Sequence, residues 1–540
     1  MPAFTSRVNP QSEEFSKERA EMLALVDRIH ALSARASARS ERRRPRFEER
    51  GQLTPRERLS SLLDPGMPFV ELFNMANYLV DSPDPDESIP GGSVISGIGF
   101  VSGVRTLVLV DDSGISAGAM TMMSIEKICR SFDIALNMKL PVVHLVESAG
   151  GDLTKYKVEM WARGGGMYYR LARLSAAGIP TFALLHGPST AGGAYMPGLS
   201  DYVVGVRNRG RAALGSSALV RAATGEVADD EVLSGVEMHA STTGLVEYVA
   251  EDDAHGIALM RDLVAGLGWN DHCPARRPRE VSKPRYDPNE IAGVVPVDYR
   301  KPYDVRELIA RIVDGSEFID FKPNYGPSIV TVQAEIFGQR CGLIGNNAPI
   351  DPNGATKAGH FMQLCDQANA PLIFLSNTTG YIVGTDSEHK GMIKHGSKMV
   401  QAASNIRVPR ITLYIGASFG AGNYGMCGAG YEPDFLFSWP NARTGMMGGD
   451  QAVTTMSIVT AASAERRGKT VDQAALDEQA IALKKHYDSQ SDAFYTSGRM
   501  LDQGIIDPRD TRKVLGFVLE TCWESRQRET RPNSFGVARL

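Results

Sequence analysis

The sequence predicts an α/β protein built from two related halves, because strand-like and helix-like segments alternate and because one pattern occurs twice. In this pattern an apolar strand leads into a turn of small residues and then a tyrosine. The two copies are residues 181–195 and 410–424. Prolines that precede neighbouring strands are spaced alike, 39 residues apart (180 − 141) in the first half and 38 (409 − 371) in the second. The shared order and spacing indicate internal duplication.

Hydrophobic periodicity predicts the elements of the first half in chain order. Thr54, Pro55 and Glu57 form the pattern of a helix N-terminus with a capping box. Elsewhere, apolar residues at helical spacing predict helices, and short apolar runs bounded by turn residues predict buried strands. The predicted helices cover residues 11–50, 120–138, 161–176 and a segment after 215, and the predicted strands cover 91–100, 142–146, 181–185 and 202–206.

The second half repeats this alternation. Its predicted helices cover residues 305–313, 355–368, 391–405, 474–487 and 512–521, and its strands cover 329–337, 341–346, 372–375, a strand from 410 and 435–439. A stretch rich in proline and arginine, residues 273–302, separates the halves. We therefore predict a boundary near residue 285, with domains 1–285 and 286–540.

Composition excludes several classes of protein. The chain has 540 residues, 43% of them hydrophobic, and a net charge of −5, which argues against a nucleic-acid footprint. No apolar run reaches the roughly 20 residues of a membrane span. The first residues lack a signal-peptide pattern, so we expect a cytoplasmic protein. The six cysteines are scattered and the histidines form no ligand pair, so we expect no bound metal.

Small residues follow the strand in both copies of the repeat, and we name these segments the first glycine turn (residues 190–195) and the second glycine turn (residues 419–424). Glycines there let a ligand approach the main chain where a β-carbon would block it. If a helix begins at each turn, its free N–H groups can stabilise a developing oxyanion without a side chain. Two such turns fit a reaction with two carbonyl-derived anions. The alternative is a tight turn with close packing.

Other motifs give weaker signals. The segment Gly416-Ala-Ser-Phe-Gly420 matches the nucleophile elbow of serine hydrolases, but the only histidine after it, His486, belongs to a helix predicted to be charged and exposed. A serine hydrolase using Ser418 is therefore an alternative hypothesis. No phosphate-loop pattern occurs, so ATP chemistry is not predicted. Five arginines between residues 42 and 50 are compatible with a phosphate contact or with a solvated helix face.

Long motifs along nearly the whole chain are shared with one enzyme family. They include Leu53-Thr-Pro-Arg-Glu-Arg-Leu59, Thr190-Ala-Gly-Gly-Ala-Tyr195, Ala222-Ala-Thr-Gly-Glu226, Gly420-Ala-Gly-Asn-Tyr-Gly-Met-Cys-Gly428 and Trp439-Pro-Asn-Ala-Arg443. On these motifs the chain resembles the carboxyltransferase β subunits of biotin-dependent acyl-CoA carboxylases. The methylcrotonyl-CoA and geranyl-CoA carboxylase group is the most similar.

The resemblance implies a crotonase-like fold, a ββα superhelix, in each half, so that the fold is α/β with two duplicated tandem domains. The first half would bind the acyl-CoA and the second would bind biotin, in a site between two subunits. There the enolate of the acyl-CoA would attack CO2 released from carboxybiotin. The resemblance assigns the amides of Gly192 and Gly193 to the thioester enolate oxygen, and the amides of Gly420 and Ala421 to the ureido oxygen of biotin.

The same resemblance implies further contacts and a partner. It assigns acyl-CoA binding to Gly150, Gly151, Ala191, Ala194, Tyr195, Gly345, Asn346 and Asn347, and biotin binding to Thr379, Gly380, Phe419, Gly422, Asn423 and Tyr424. The biotinylation tetrad Ala-Met-Lys-Met is absent, so biotin would be carried on a partner. That partner would be an α subunit with biotin carboxylase and biotin carrier domains. The family also implies a homohexamer.

Four stretches of the first half depart from the family pattern: residues 116–121, 148–153, 215–221 and 239–244. Since this half should shape the acyl-CoA pocket, the substrate is predicted only as 3-methylcrotonyl-CoA-like or as another branched or unsaturated acyl-CoA. Two alternatives stay open. One is a biotin-dependent acyl-CoA decarboxylase subunit on the same fold, and the other is a non-catalytic assembly subunit of a carboxylase complex.

Overall fold

A computed structural model describes residues 1–151, 156–276, 279–467 and 473–538. The chain divides into two compact units. The C-half unit comprises Met1–His30 and Arg277–Leu519, and the N-half unit comprises Ala31–Arg276 and Glu520–Leu540. By these bounds the chain passes from one unit to the other after residues 30, 276 and 519, and the division into domains 1–285 and 286–540 stays a prediction.

Each terminal segment belongs to the unit that is distant from it in sequence. In the C-half unit the hydroxyl of Ser6 donates a hydrogen bond to the carboxylate of Glu307 at 2.5 Å. In the N-half unit Glu524 pairs with the buried Arg105 at 3.1 Å. Polar groups of the termini therefore satisfy charged groups within each unit, which sequence periodicity alone did not indicate.

One mixed sheet organises the N-half unit. Its described strands follow the order β1-β2-β3-β4-β5-β6-β8, with β7 paired to β5. The first three strands are antiparallel neighbours, and pairing is parallel from β3 onward. The strands are β1 (Val70–Leu72), β2 (Val94–Val101), β3 (Val104–Asp111), β4 (Val142–Ser148), β5 (Thr181–Thr190), β6 (Tyr202–Val206), β7 (Arg211–Ala213) and β8 (Tyr248–Ala250).

The C-half unit contains a second sheet of the same kind. Its described strands follow the order β14-β13-β12-β11-β10-β9, with β15 paired to β13. Pairing is antiparallel from β9 to β11 and parallel beyond it. The strands are β9 (Phe318–Asp320), β10 (Ile329–Ile336), β11 (Gln339–Asn346), β12 (Leu372–Thr378), β13 (Arg410–Phe419), β14 (Phe435–Ser438) and β15 (Arg443–Gly445).

Helices cover the sheets. In the described residues the first ten are α1 (Glu13–Glu41), α2 (Arg44–Glu49), α3 (Pro55–Leu62), α4 (Met122–Met138), α5 (Val158–Ala176), α6 (Tyr195–Leu199), α7 (Ser217–Thr224), α8 (Asp230–Ser234), α9 (Val236–Met238) and α10 (Asp253–Ala265). They continue with α11 (Ile291–Val294), α12 (Val305–Ile312), α13 (Pro352–Gln367), α14 (Thr385–His389), α15 (Met392–Asn405), α16 (Gly420–Gly425), α17 (Gly449–Arg466), α18 (Gln473–Ser491), α19 (Ala493–Gly498) and α20 (Thr511–Gln527). Among these described helices, none is both long and apolar enough to cross a bilayer.

Local signals explain where several elements begin. Thr54 and Glu57 form the predicted reciprocal capping box at α3. Thr121 and Ser124 make the same exchange at α4. All eight residues of β3 are buried, which is expected of a central strand with both faces covered.

The predicted duplication is confirmed at the level of strand register. Val142 pairs with Thr181 at the start of the β4–β5 ladder, and Leu372 pairs with Arg410 at the start of β12–β13. In both ladders the register shifts just before the strands end. The same irregularity at the same place gives both sheets a similar carboxyl-terminal edge, where ligands bind in open α/β sheets.

A buried ion pair connects α3 with α10. The side chain of Arg58 is 0% exposed, and its Nε donates to Oδ2 of Asp253 at 2.8 Å. The same carboxylate oxygen accepts the amide of Leu53 at 2.9 Å. Because both charges are removed from water, each needs the other, and the pair fixes α3 against the N-half sheet.

We expect Asp253→Asn to destabilise the chain by about 3 kcal/mol, because the buried guanidinium of Arg58 would lose its nearest and hydrogen-bonded counter-ion and keep only Glu147 at 4.0 Å. The urea midpoint of unfolding measures this change. Asp386→Asn provides a control, since the Asp386–Lys390 pair is solvent-exposed and contributes less than about 1 kcal/mol. Equal midpoints for the two variants would contradict a structural role for the buried pair.

Candidate active site

The first glycine turn continues directly from β5. The strand ends at Thr190, residues Ala191–Ala194 form a 3-10 turn, and α6 follows at Tyr195. Thr190, the N-cap residue, makes no side-chain hydrogen bond to this turn. The N–H groups of a first helical turn have no acceptor within the helix. The amides at this position, which include those of Gly192 and Gly193, are therefore arranged as donors for an external oxygen.

Close packing forces the backbone path of this turn. A β-carbon on Gly193 would lie 3.0 Å from Oγ of Ser189 and 3.1 Å from Cβ of Ser148. Gly150 has φ of 81°, and a β-carbon there would lie 3.3 Å from the carbonyl oxygen of Thr190. The loop after β4 and the turn after β5 thus meet backbone to backbone.

The predicted acyl-CoA residues of the N-half unit lie together at this edge. Ala191 has φ of 52°, and Gly150 and Ala191 face each other across the contact just described. Gly151 forms a parallel bridge with Met120, and the carbonyl of Gly150 accepts the amide of Met120 at 2.8 Å. Ala194 and Tyr195 join the turn to α6. Residues 152 and 153, which complete one departing stretch, lie outside the described residues.

The second glycine turn follows β13 in the same way. Phe419 caps α16 without a side-chain bond, and Gly420 has φ of 55°. A β-carbon on Gly422 would lie 2.7 Å from the Cα atom of Gly380. Gly380 itself has φ of 120° and follows Thr379 in the loop after β12. Glycine is required at these contacts because any side chain would push the backbones apart.

Strand pairing makes the two turns equivalent residue by residue. Ser148 pairs with Ser189, and Thr378 pairs with Ser418. The amides of Gly150 and Gly380 donate to the preceding Ser148 and Thr378 hydroxyls, both at 3.2 Å. Counting on from these pairs, Ala191, Gly192 and Gly193 correspond to Gly420, Ala421 and Gly422. The two predicted amide pairs, 192/193 and 420/421, are therefore offset by one position.

A cavity of about 810 Å³ opens beside the second glycine turn. Its lining includes Gly420, Ala421 and the exposed Tyr424, all of which the family resemblance assigns to the site. Further lining residues were not predicted from the sequence, in part because α18 was predicted only as a charged, exposed helix. These residues are Met446, Met447, His486, Tyr487, Gln490, Tyr495 and Arg499.

Two predicted ligand residues use their side chains inside the protein. The Asn423 amide nitrogen donates to Oη of Tyr414 and to Oγ of Ser418, both at 2.9 Å. Asn346 is buried, and its Oδ1 accepts the amide of Asn377 at 3.1 Å. Both side chains thus support strand ends and the second turn.

Gly345 and Asn347 also make contacts within the C-half unit. A β-carbon on Gly345 would lie 2.8 Å from a methyl group of Val305. Oδ1 of Asn347 accepts the amide of Val305 at 2.9 Å. The two residues therefore fix the start of α12.

Ser418 does not have the surroundings of a nucleophile. It is fully buried on β13, and its hydroxyl is bonded to Ser376 at 2.9 Å as well as to Asn423. A nucleophilic serine needs an accessible hydroxyl beside a base. The hydrogen bonds instead connect β12, β13 and α16, which argues against the serine hydrolase alternative.

An ionisable cluster includes His186 on β5, four residues before the start of the first glycine turn. The carboxylate of Glu147 accepts the hydroxyl of Ser113 at 2.8 Å and lies 4.0 Å from Arg58 and 3.8 Å from His186. Burial raises the pKa of Glu147, against the lowering effect of Arg58. Burial, followed by the charge of Arg58, lowers the pKa of His186 well below its usual value, so its ring is neutral at physiological pH.

The arginine-rich segment forms several surface ion pairs. Arg44 reaches the carboxylates of Glu41, Glu48 and Glu57. Arg42, Arg43, Arg46 and Arg50 are exposed at the end of α1 and along α2. For Arg44, these ion pairs favour the solvated helix face over the phosphate contact, the two alternatives left open by the sequence.

Comparison with known proteins identifies the family. The model of the carboxyl transferase domain matches residues 46–536. The chain belongs to the carboxyl transferase family. A solved structure, the β subunit of P. aeruginosa geranyl-CoA carboxylase, has 47% identity and a TM-score of 0.92, with 100% of both chains covered. Since this carboxyltransferase matches that β subunit end to end, the predicted α/β fold with two crotonase-like domains is confirmed.

Curated relatives support the same assignment. A probable biotin-dependent acyl-CoA carboxylase β2 subunit of Mycobacterium tuberculosis is 45% identical over 537 residues, covering 99% of each chain. The biotin-dependent 3-methylcrotonyl-CoA carboxylase β1 subunit of the same organism is 40% identical, covering 94% of this chain and 95% of its own length. This carboxyltransferase is therefore a β subunit of the biotin-dependent acyl-CoA carboxylase type, as its motifs predicted.

We expect Gly422→Ala to lower carboxyl transfer by about 100-fold, because the added methyl would meet the Gly380 backbone and displace the amides of the second turn. Steady-state kinetics with the partner α subunit measures the loss. Gly430→Ala is the matched control, since a β-carbon at Gly430 meets nothing within 4 Å. Similar rates for both variants, with similar unfolding midpoints, would show that the second turn tolerates displacement and is not catalytic.

Proposed function

We propose that this β subunit moves a carboxyl group from carboxybiotin, carried on an α subunit, to a branched or unsaturated acyl-CoA. The first glycine turn holds the thioester enolate oxygen through Gly192 and Gly193. The second holds the ureido oxygen of biotin through Gly420 and Ala421. The observation that carries this proposal is the pair of equivalent turns, each without a side-chain cap and each at the carboxyl edge of a parallel sheet.

Main-chain amides suit this task because they are fixed before the reaction begins. The register shift at each strand end and the glycine contacts leave the turns little freedom. Donors held in place need no reorganisation when negative charge develops on an oxygen, and one such donor is worth about 3 kcal/mol in comparable enzymes. This chain's contribution is therefore to bind and orient two oxygens.

The residues beside the second turn fit biotin. Tyr424, Met446, Tyr487 and Tyr495 supply apolar surface for a fused hydrophobic ring system, and the turn supplies amides for a polar carbonyl. When bound, carboxybiotin supplies the CO2 for the transfer. Thr379, Gly380, Phe419, Gly422 and Asn423 shape this pocket, mainly through the backbone contacts and inward hydrogen bonds described above.

The acyl group is proposed from the relatives and the first half. Similar proteins include geranyl-CoA and 3-methylcrotonyl-CoA carboxylase subunits, which act on branched, unsaturated thioesters. In this proposal Gly150, Gly151, Ala191, Ala194 and Tyr195 surround the thioester. The family resemblance also assigns Gly345, Asn346 and Asn347 to acyl-CoA binding. The homohexamer, the α-subunit partner and a cytoplasmic location complete the proposal.

The test is reconstitution of the full-length chain with its α subunit, bicarbonate, ATP and a panel of CoA thioesters. We expect ATP-dependent carboxylation of 3-methylcrotonyl-CoA, geranyl-CoA or a related thioester. Failure to carboxylate any member, with an α subunit that is biotinylated and active alone, would refute the proposed function. ATP-independent decarboxylation of the carboxylated thioester alone would favour the decarboxylase alternative.

A substitution in the first glycine turn can distinguish its role from that of the second glycine turn. In Gly193→Ala the methyl would press on Ser189 and Ser148, so we expect acyl-CoA carboxylation to fall about 10-fold. Acyl-CoA-independent release of label from carboxybiotin should stay unchanged, because it needs only the second turn. Gly198→Ala is the control, since a β-carbon there meets nothing within 4 Å. Equal loss of both reactions in Gly193→Ala would contradict this division of labour.

A further inference from the structure

The side chain of Tyr168, on α5, points at the first glycine turn. The hydroxyl of Tyr168, on α5, occupies the position that a β-carbon on Gly192 would need, and the methyl carbon of Met120 lies 3.9 Å from the same point. The ring of Tyr168 packs against Tyr195, with centroids 5.2 Å apart. This packing fixes the direction of the Tyr168 hydroxyl. Because the residue is only half-buried, the hydroxyl is not enclosed within the core.

The hydroxyl lies close to the amide that this site offers. A β-carbon and the amide nitrogen of one residue are separated by roughly 2.5 Å in standard covalent geometry. The Tyr168 oxygen, in contact with that β-carbon position, therefore lies within roughly 5 Å of the Gly192 nitrogen. A single oxygen atom can accept from both donors at ordinary hydrogen-bond distances.

The second glycine turn carries a different residue at the equivalent position. Ala421 corresponds to Gly192, so a β-carbon already occupies the space into which Tyr168 projects in the N-half unit. The combination of tyrosine and glycine thus distinguishes the turn proposed for the acyl-CoA from the turn proposed for biotin.

We propose that Tyr168 is a catalytic residue for the acyl-CoA, donating a hydrogen bond to the thioester oxygen beside the amides of Gly192 and Gly193. The inference rests on the proposed role of the first glycine turn. The thioester oxygen gains negative charge as the enolate forms, and hydrogen bonds to charged acceptors are stronger than those to neutral ones. The contact therefore stabilises the enolate more than the bound substrate, which is the condition for catalysis.

The phenol has the protonation state that this role requires. Burial, with a smaller contribution from Tyr195, raises the pKa of Tyr168 above its ordinary value near 10. The group consequently stays protonated at physiological pH and acts as a donor. Gly192 then has two roles. It lets a ligand approach the main chain, and it leaves room for the Tyr168 hydroxyl, which any side chain at that position would displace.

The kinetic test uses Tyr168→Phe in the full-length chain with its α subunit. We expect kcat/KM for the best thioester to fall about 10- to 100-fold, the effect of losing a hydrogen bond to a charged acceptor. Acyl-CoA-independent release of label from carboxybiotin should be unchanged. Tyr169→Phe is the matched control: it is the next residue on α5, exposed, with its hydroxyl bonded to Arg173. Equal kcat/KM for Tyr168→Phe and wild type would overturn the proposal.

A binding measurement separates this role from simple packing. Butyryl-CoA has the thioester oxygen, and its thioether counterpart, S-butyl-CoA, lacks it. Calorimetry should show that Tyr168→Phe weakens butyryl-CoA binding about 3- to 10-fold and leaves S-butyl-CoA unchanged. Equal weakening of both ligands, or of neither, would refute the hydrogen bond. This comparison does not depend on turnover, so it stays informative if the carboxylation assay itself refutes the proposed function.

Discussion

The structure depends on a close contact between main chains at the ends of two neighbouring parallel strands. In the C-half unit Gly422 and Gly380 approach so closely that a single β-carbon would lie 2.7 Å from the opposing Cα. In the N-half unit Gly150 packs against the carbonyl of Thr190 in the same place. Each contact sets the direction in which the following turn leaves its strand. The positions of the uncapped amides follow from that direction, so function and close packing depend on the same glycines.

The two duplicated halves share this backbone geometry but differ in the side chains around it. Glu147 fills the space beside Gly187, and Asn377 fills the corresponding space beside Gly416. The side-chain oxygen of Asn377 accepts the backbone N–H of Ala417 at 2.8 Å, so an uncharged amide group occupies this position. Glu147 instead belongs to a buried cluster that includes Arg58 and His186. The two halves therefore present similar amides in different electrostatic surroundings, which suits two different ligands.

Sequence patterns were strongest where a local rule has a single structural outcome. The capping box at Thr54, the strands that precede the turns and the duplicated order all have such rules, and the structure confirms them. They were weakest where a side chain can face either way. The hydrogen bonds that the side chains of Asn423 and Asn346 make within the fold had no sequence signal, and the assignment of these residues to ligand binding stays a prediction. The wall of the cavity formed by α18 had no signal, because its polar and aromatic residues are also common on exposed helices.

The sequence by itself determined the fold class, the duplication, the family and the two turns that carry the candidate chemistry. The fold class, the duplication and the turns are encoded by periodicity and by runs of glycine, whose conformational freedom is needed only at special backbone positions, whereas the family was indicated by a resemblance in longer motifs. Tertiary structure alone decided which groups face those turns. The Tyr168 hydroxyl reaches Gly192 from a helix more than 20 residues away in sequence, and Tyr487 and Tyr495 reach the second turn from beyond β15. Contacts between residues so far apart depend on how helices pack on the sheet, and no local pattern records that packing.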